Sequence, residues 1–273
     1  MSFAAHSPVA SLPMYDHPAA RQATDKLWRA FVKALREEGV RAPDILNRQP
    51  DYSSLWLAPG LLFSQTCGYP YMSELRGKVQ LVATPVYSAM GCEGPYYCSI
   101  VVVRQDDPAT SLAECRGRIA GYNAVHSQSG YNSLRAAIAP LATDGRFFSS
   151  TVETGSHSAS MDAVATGTVD LCAVDCVTWA LLVKHEPDRA ARFKIIQQTP
   201  SAPGLPFITS VHTPPETLEK LRAALTTICT DPALATARDK VLLDGAALLG
   251  DDDYQRVVEL EQRAIAQGYP VLN

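Results

Sequence analysis

Along this chain an apolar, β-favouring run repeatedly breaks into small hydroxyl residues beside a glycine, and a helical stripe follows. Residues 118–123 read as a strand that gives way to His126-Ser127-Gln128-Ser129-Gly130, and 134–139 read as the helix beyond. Residues 61–63 run into Ser64-Gln65-Thr66 with Gly68 close by. Residues 147–153 lead to Thr154-Gly155-Ser156-His157 and a helix over 161–165. The strongly β-branched run 97–104 is a strand, as are 77–85, 169–175 and 193–200. The segment 19–38 carries Leu27, Trp28, Phe31, Val32 and Leu35 at helical spacing and stops at Gly39. Such alternation of strand and helix predicts an α/β protein whose sheets are mixed but mainly parallel and flanked by helices.

What these turns could do follows from where they sit. The first turn of a helix leaves backbone N–H groups without intrahelical partners, and the helix dipole is positive there. Ser127 and Ser129 with the flexible Gly130 can wrap a small anion at such a point, or one of them can simply cap the helix. Tyr15-Asp16 lies at the C-terminal edge of a first strand, where open α/β sheets meet their ligands, or else forms a turn over a core edge. Asp175 most simply caps the helix that begins at Cys176. His157 is a cap, a surface histidine or a ligand group.

The 273 residues suffice for one large or two ordinary domains. The formal net charge of -4 points away from nucleic acid and acidic membranes. An anionic ligand would therefore have to be attracted by local geometry. The N-terminus, Met1 to Pro8, has neither the basic region nor the apolar run of a signal peptide, and no stretch is long enough to span a membrane, which reads as cytoplasmic. Seven cysteines are present without a CxxC element or a histidine at zinc-finger spacing, so they read as small thiols in a reducing compartment and no metal is expected. No GxGxxG, P-loop or GxSxG element occurs, and no nucleophile–base pair is visible. Binding without a cofactor is the expectation; catalysis is not.

The motifs Ser11-Leu12-Pro13-Met14-Tyr15-Asp16, Ser64-Gln65-Thr66-Cys67-Gly68-Tyr69-Pro70, Ser127-Gln128-Ser129-Gly130, Gly155-Ser156-His157, Asp175-Cys176-Val177-Thr178-Trp179 and Ala202-Pro203-Gly204-Leu205-Pro206-Phe207 follow in that order. In this the chain resembles the substrate-binding components of phosphate, phosphite and phosphonate ABC transporters, from Ala10 to about Pro270. The resemblance implies a two-lobed periplasmic-binding-protein fold of the second type, with residues 1–98 and 206–273 in one lobe and 99–205 in the other. It also implies two hinge crossings and a ligand cleft that closes between the lobes. The partners implied are a small anionic ligand and a transporter permease, in the periplasm, with the protein a monomer or weak dimer. Ser127 and Ser129 match the family's anion-gripping serine motif, though Ser-Gln-Ser-Gly stands where a serine-threonine-serine run is more usual. Tyr15, Thr66 and Asp175 fall where the family places first-strand, second-turn and second-lobe contacts. Ser64, Gln65, Tyr69, Gln128, Gly130, Ser156, His157 and Trp179 complete the candidate set.

An acid in an anion site is a tension, and it suggests a ligand that also carries an amine, held by Asp175 with Asp16 or Glu93. The alternative from another class is a cytoplasmic enzyme or precursor-binding protein of cofactor biosynthesis, with Cys67 or Cys176 activated by His157 or His126. A ligand-sensing module is the third.

Overall fold

The computed structural model describes residues 7–49 and 51–273; six of the N-terminal residues on which the signal-peptide reading rests lie outside them. The chain forms two compact units. The first comprises the chain up to Ser88 together with Gly204–Asp252, the second Ala89–Pro203 together with Asp253–Asn273.

Among the described residues twelve strands build the sheets. In the first unit, β1 (Val9–Ser11), β2 (Leu61–Gln65), β3 (Val79–Tyr87), β11 (Phe207–Ser210) and β12 (Leu243–Ala247) lie in the order β1-β2-β11-β3-β12. In the second, β5 (Ser99–Arg104), β6 (Ile119–Tyr122), β7 (Ser150–Glu153), β8 (Leu171–Asp175) and β9 (Phe193–Gln198) lie in the order β7-β6-β8-β5-β9. A two-stranded ribbon pairs β4 (Tyr96–Tyr97) with β10 (Ala202–Pro203).

The α/β class is as the sequence predicts, with helices flanking mixed sheets. The expectation of mainly parallel pairing is corrected. Parallel pairing holds for β1 with β2 and for β6 with β7 and β8, whereas β11 and β5 each run antiparallel to both neighbours. Each of these two strands follows a passage of the chain from one unit into the other. A strand that arrives this way is not delivered by a βαβ crossover, so nothing forces it parallel.

The first unit's core is a stack under the helix Arg21–Glu37. Its predicted stripe is the buried one, with Trp28 and Phe31 tilted together at 5.5 Å, Phe31 on Phe63 at 4.7 Å and Phe63 on Phe207 at 4.8 Å. Each such buried ring contributes roughly 1.5–3 kcal/mol relative to exposure. Gly39 takes a positive φ just past the helix, as its predicted capping role requires. The second unit's core centres on β5, whose Ile100 to Val103 are fully buried.

Two points of the predicted division are corrected. The chain passes between units three times rather than twice, and its last residues join the second unit rather than the first. The cause is at the C-terminus. Tyr269 and Leu272 enter the second unit's apolar core beside Leu134, Ile138 and Phe147. The Asn273 carbonyl accepts from the amides of Phe147 and Phe148. Arg135, itself buried, donates to the Pro270 carbonyl at 2.8 Å and to Glu261 at 3.0 Å. An amphipathic stripe over 254–267 shows that a helix needs a core, not which core it covers.

Candidate functional site

The second unit builds a polar cluster where β6 ends. Ser127 takes an extended backbone and its Oγ accepts from the Gly130 amide at 3.0 Å, capping a π-helical turn, Gln128–Asn132, that leads into the helix Ser133–Ile138. Wide turns of this kind often mark functional positions, because they release amides and re-aim side chains. The Ser127 and Ser129 hydroxyl oxygens lie 3.5 Å apart. Ser129 Oγ is 2.8 Å from His157 Nε2, contributed by the first residue of the helix His157–Thr166. Beneath, Ser99 Oγ of β5 donates to the Ser129 carbonyl at 2.9 Å, which fixes the turn to the sheet.

His157 is half-buried, but its Nδ1 is fully enclosed. Desolvation draws the imidazole's pKa down to about 4, with the Ala173 backbone acting weakly the other way. The ring is therefore neutral near pH 7. Gly130 is a close-approach glycine: a Cβ there would lie 1.9 Å from Asn123 Oδ1 and 3.3 Å from His157 Cε1. Asn123 Oδ1 is itself enclosed, with no hydrogen-bond partner among the described residues. In the sequence Asn123 stands as the end of a strand, and its position just before a hydroxyl-rich turn is the signal available there. Ser99 was missed because a serine in a β-branched run gives no hint of reaching another loop.

Of the other candidates in this unit, several are committed to the fold. Gln128 is fully buried and faces inward, donating to Ser133 Oγ at 3.1 Å and accepting from Asn132 Nδ2 at 2.8 Å. Asp175 Oδ1 accepts from the amides of Val177 and Thr178 at 2.8 and 3.0 Å, capping the helix Cys176–His185. Ser156 is exposed and caps the helix Ser156 precedes through the Ala159 amide. Trp179 is buried with its ring edge-on to Phe193. The nucleophile–base proximity that the sequence did not reveal is present between Ser129 and His157. Cys176, by contrast, lies against another thiol, Cys92, at 3.5 Å.

In the first unit Tyr15 and Gln65 come together. Tyr15 packs edge-on to Tyr87 at 5.1 Å, and Gln65 Nε2 donates to Tyr87 Oη at 3.3 Å and to the Leu205 carbonyl at 3.0 Å. These three residues border an apolar cavity of about 80 Å³ that reaches Phe63 and Phe207. Ser64 is spent on Ser11, hydroxyl to hydroxyl at 2.8 Å. Thr66 is buried, its amide bonded to the Pro206 carbonyl and its hydroxyl held only weakly by the Cys67 carbonyl at 3.4 Å. Tyr69 is half-buried in the short helical turn Gly68–Pro70. Asp16, suggested as an amine acceptor, is paired with Arg21 at 3.1 Å and Arg48 at 2.8 Å.

The chain belongs to the family of periplasmic substrate-binding proteins of phosphonate ABC transporters, whose family model matches residues 61–257. A search of curated protein sequences found no relative. Among solved structures, the chain is similar to a binding protein component of an ABC phosphonate transporter, PA3383 from Pseudomonas aeruginosa, at 19% identity over 96% of this chain and 88% of that one, with a TM-score of 0.74. It is similar to PhnD1 from Prochlorococcus marinus in complex with methylphosphonate, at 13% identity over 94% and 98% of the two chains and a TM-score of 0.72. It is also similar to XAC2383 from Xanthomonas citri bound to chloride ion, at 19% identity over 95% and 98% and a TM-score of 0.69. Among the described residues no helix is long and apolar enough to cross a membrane.

Proposed function

We propose that the chain is the solute-binding component of an ABC uptake system and holds a small oxyanion of the phosphonate class at the 127–130 turn. The observation that carries this reading is the Ser129–His157 contact at 2.8 Å, set at a turn whose glycine admits no side chain. Two hydroxyls, the amides of the turn and an imidazole are all neutral donors, and a charged oxygen makes each such bond about twice as strong as a neutral acceptor does. Attraction here is local, as a chain of net charge -4 requires. The periplasm is the family's compartment, and a permease is the partner this reading implies.

Of the residues named for an amine-bearing ligand, Asp16 is paired with two arginines and Asp175 Oδ1 caps a helix, whereas Glu93 is exposed. The oxyanion is the group this reading commits to. The Ser129–His157 contact has the spacing of a catalytic pair, yet its chemistry favours binding. An imidazole held near pKa 4 is too weak a base to activate a hydroxyl near neutral pH, and a catalytic histidine is ordinarily oriented by an acid, whereas His157 Nδ1 has no hydrogen-bond partner among the described residues.

The test is a thermal-shift and calorimetric panel of methylphosphonate, phosphate, phosphite, sulfate and small carboxylates. A ligand at one hundred times its dissociation constant adds about 2.7 kcal/mol of stability. A shift with a phosphorus oxyanion that Ser127→Ala and Ser129→Ala remove is the expected result. No shift with any member of the panel returns the turn to being a helix cap. Small-angle scattering with and without the bound anion tests the hinge closure that the family resemblance implies.

A further inference from the structure

Three of the seven thiols meet at one place in the second unit, and the anion-binding reading does not use them. Cys92 Sγ and Cys176 Sγ are 3.5 Å apart, and Cys176 is hydrogen-bonded to Cys98. Cys98 and Cys176 are buried, whereas Cys92 is half-buried on the 88–95 loop that opens the unit. Gly91 makes the contact feasible. Its φ is +94°, and a Cβ there would come within 2.7 Å of Cys98 Sγ and 3.2 Å of Cys176 Cβ. Only glycine lets the loop lie this flat over the two buried thiols.

We propose that Cys92 and Cys176 are a disulfide-forming pair, oxidised by a small-molecule or protein disulfide to staple the entry loop onto the helix Cys176–His185. A disulfide needs its sulfurs at about 2.05 Å, so closure asks for a shift of roughly 1.5 Å, within reach of side-chain rotation on a glycine-hinged loop. The chemistry balances as two exchanges. The accessible Cys92 thiolate attacks the oxidant's disulfide and releases one of its sulfurs as a thiol. Cys176 then attacks the Cys92 sulfur of the mixed disulfide, loses its proton and releases the second sulfur as a thiol. Two cysteine thiols are oxidised, and one disulfide is reduced to two thiols. The departing thiolate takes the Cys176 proton; hydrogen bonds to Cys92 and Cys98 together with burial push the Cys176 thiol's pKa well up, so this second exchange is the slow one.

The position matters to the site. Cys176 follows Asp175, which pairs in register with Ser99, and Ser99 holds the Ser129 carbonyl. A staple here ties the loop to the strand ends that carry the anion turn. The sequence reading took the thiols as belonging to a reducing compartment; the family's compartment is oxidising, and there such a pair closes.

The full chain, purified reduced, is treated with graded oxidised glutathione, denatured and titrated for free thiols, then digested without reductant for mass spectrometry. The expected result is a loss of two thiols, one linked peptide pair joining Cys92 to Cys176, and a melting point several degrees higher, since the bridge closes a loop of 84 residues. Cys92→Ser abolishes the linkage, while Cys98→Ser keeps it. A linkage through Cys98, a thiol loss that persists in Cys92→Ser, or no thiol loss at all overturns the assignment. Anion binding measured on the same samples is a separate readout, so failure of this pair and failure of the anion site are distinguishable.

Discussion

Ser64-Gln65-Thr66 in the first unit and Ser127-Gln128-Ser129 in the second share the order hydroxyl, amide, hydroxyl with a glycine close behind, and the fold uses them differently. In the first unit Ser64 and Gln65 are still in β2, so their side chains point to alternate faces of a sheet. Ser64 bonds Ser11 across the parallel pair, and Gln65 ties β2 to the Leu205 carbonyl. In the second unit the strand has already ended at Tyr122, and four residues separate it from Ser127. The same residue types therefore fall on a turn, where the serines lie 3.5 Å apart and the glutamine points inward. What decides whether such a run ties strands together or folds into a turn is its distance from the end of the strand.

The largest effect that could break this comparison comes from matched serine deletions. Ser129→Ala removes a hydroxyl offered to the anion, and a hydrogen bond to a charged group contributes about 1.5–3 kcal/mol. The expected outcome is an anion affinity roughly 10- to 150-fold weaker by calorimetry, together with a stability cost of about 1–3 kcal/mol because His157 Nε2 loses its partner. Ser64→Ala leaves the buried Ser11 hydroxyl without its partner, which costs stability of about 1–3 kcal/mol and leaves anion affinity unaltered. If Ser64→Ala weakens binding as much as Ser129→Ala does, the two turns are equivalent and the contrast is wrong.

A smaller effect sharpens the role of the glycine. Gly130→Ala forces Asn123 to move, because the new Cβ would stand 1.9 Å from its Oδ1, and it presses on His157. The obstacle is the end of a flexible side chain, so the fold survives and the site loses its shape. Anion affinity is expected to fall about tenfold, and Asn123→Ala in the same chain should restore part of it. Residues in direct contact couple by about 0.5–3 kcal/mol, which a double-mutant cycle resolves. Strict additivity of the two substitutions would show that the glycine's near contact has no bearing on binding.

Much of this was legible in the residues. The helical stripe from Leu27 to Leu35 and the cap expected of Asp175 follow from local spacing and stand in the structure as read, and of the β-branched 97–104 run the structure keeps 99–104 as one strand. Ser127, Ser129, Gly130 and His157 were nominated from sequence, and the fold brings them into one cluster. What escaped depends on contacts distant in sequence. Tyr269 and Leu272 choose the second unit's core because a matching apolar surface happens to be there, and no pattern within 254–273 encodes it. Gln128 is expected in the ligand set as part of the Ser127-Gln128-Ser129-Gly130 motif. The π-helical turn rotates it toward Asn132 and Ser133 instead, and a five-residue widening of this kind has no sequence signature.

The smallest expected effect separates the two units by acid. His157 is the residue whose neutral form the second unit requires, and its pKa lies near 4 in the folded chain against the usual 6.5. Above about pH 6.5 the ring is neutral whether folded or unfolded and contributes no pH dependence. As pH falls from 6.5 toward 4 the unfolded chain takes up the proton first, so folding stability declines, and the decline stops once the folded ring protonates as well. A shift of this size corresponds to roughly 3 kcal/mol for a fully enclosed ring, and half-burial reduces the expectation to about 1–2 kcal/mol. Urea unfolding at pH 7 and pH 4.5 should therefore show a loss in the parent chain that His157→Gln removes, since glutamine does not titrate. Ser64→Ala should leave that slope unaltered, because no histidine stands beside the first unit's turn among its described hydrogen-bond partners. An acid slope that survives in His157→Gln would mean that the ring is solvated in the folded state, and the neutral-donor account of the 127–130 turn would fail with it.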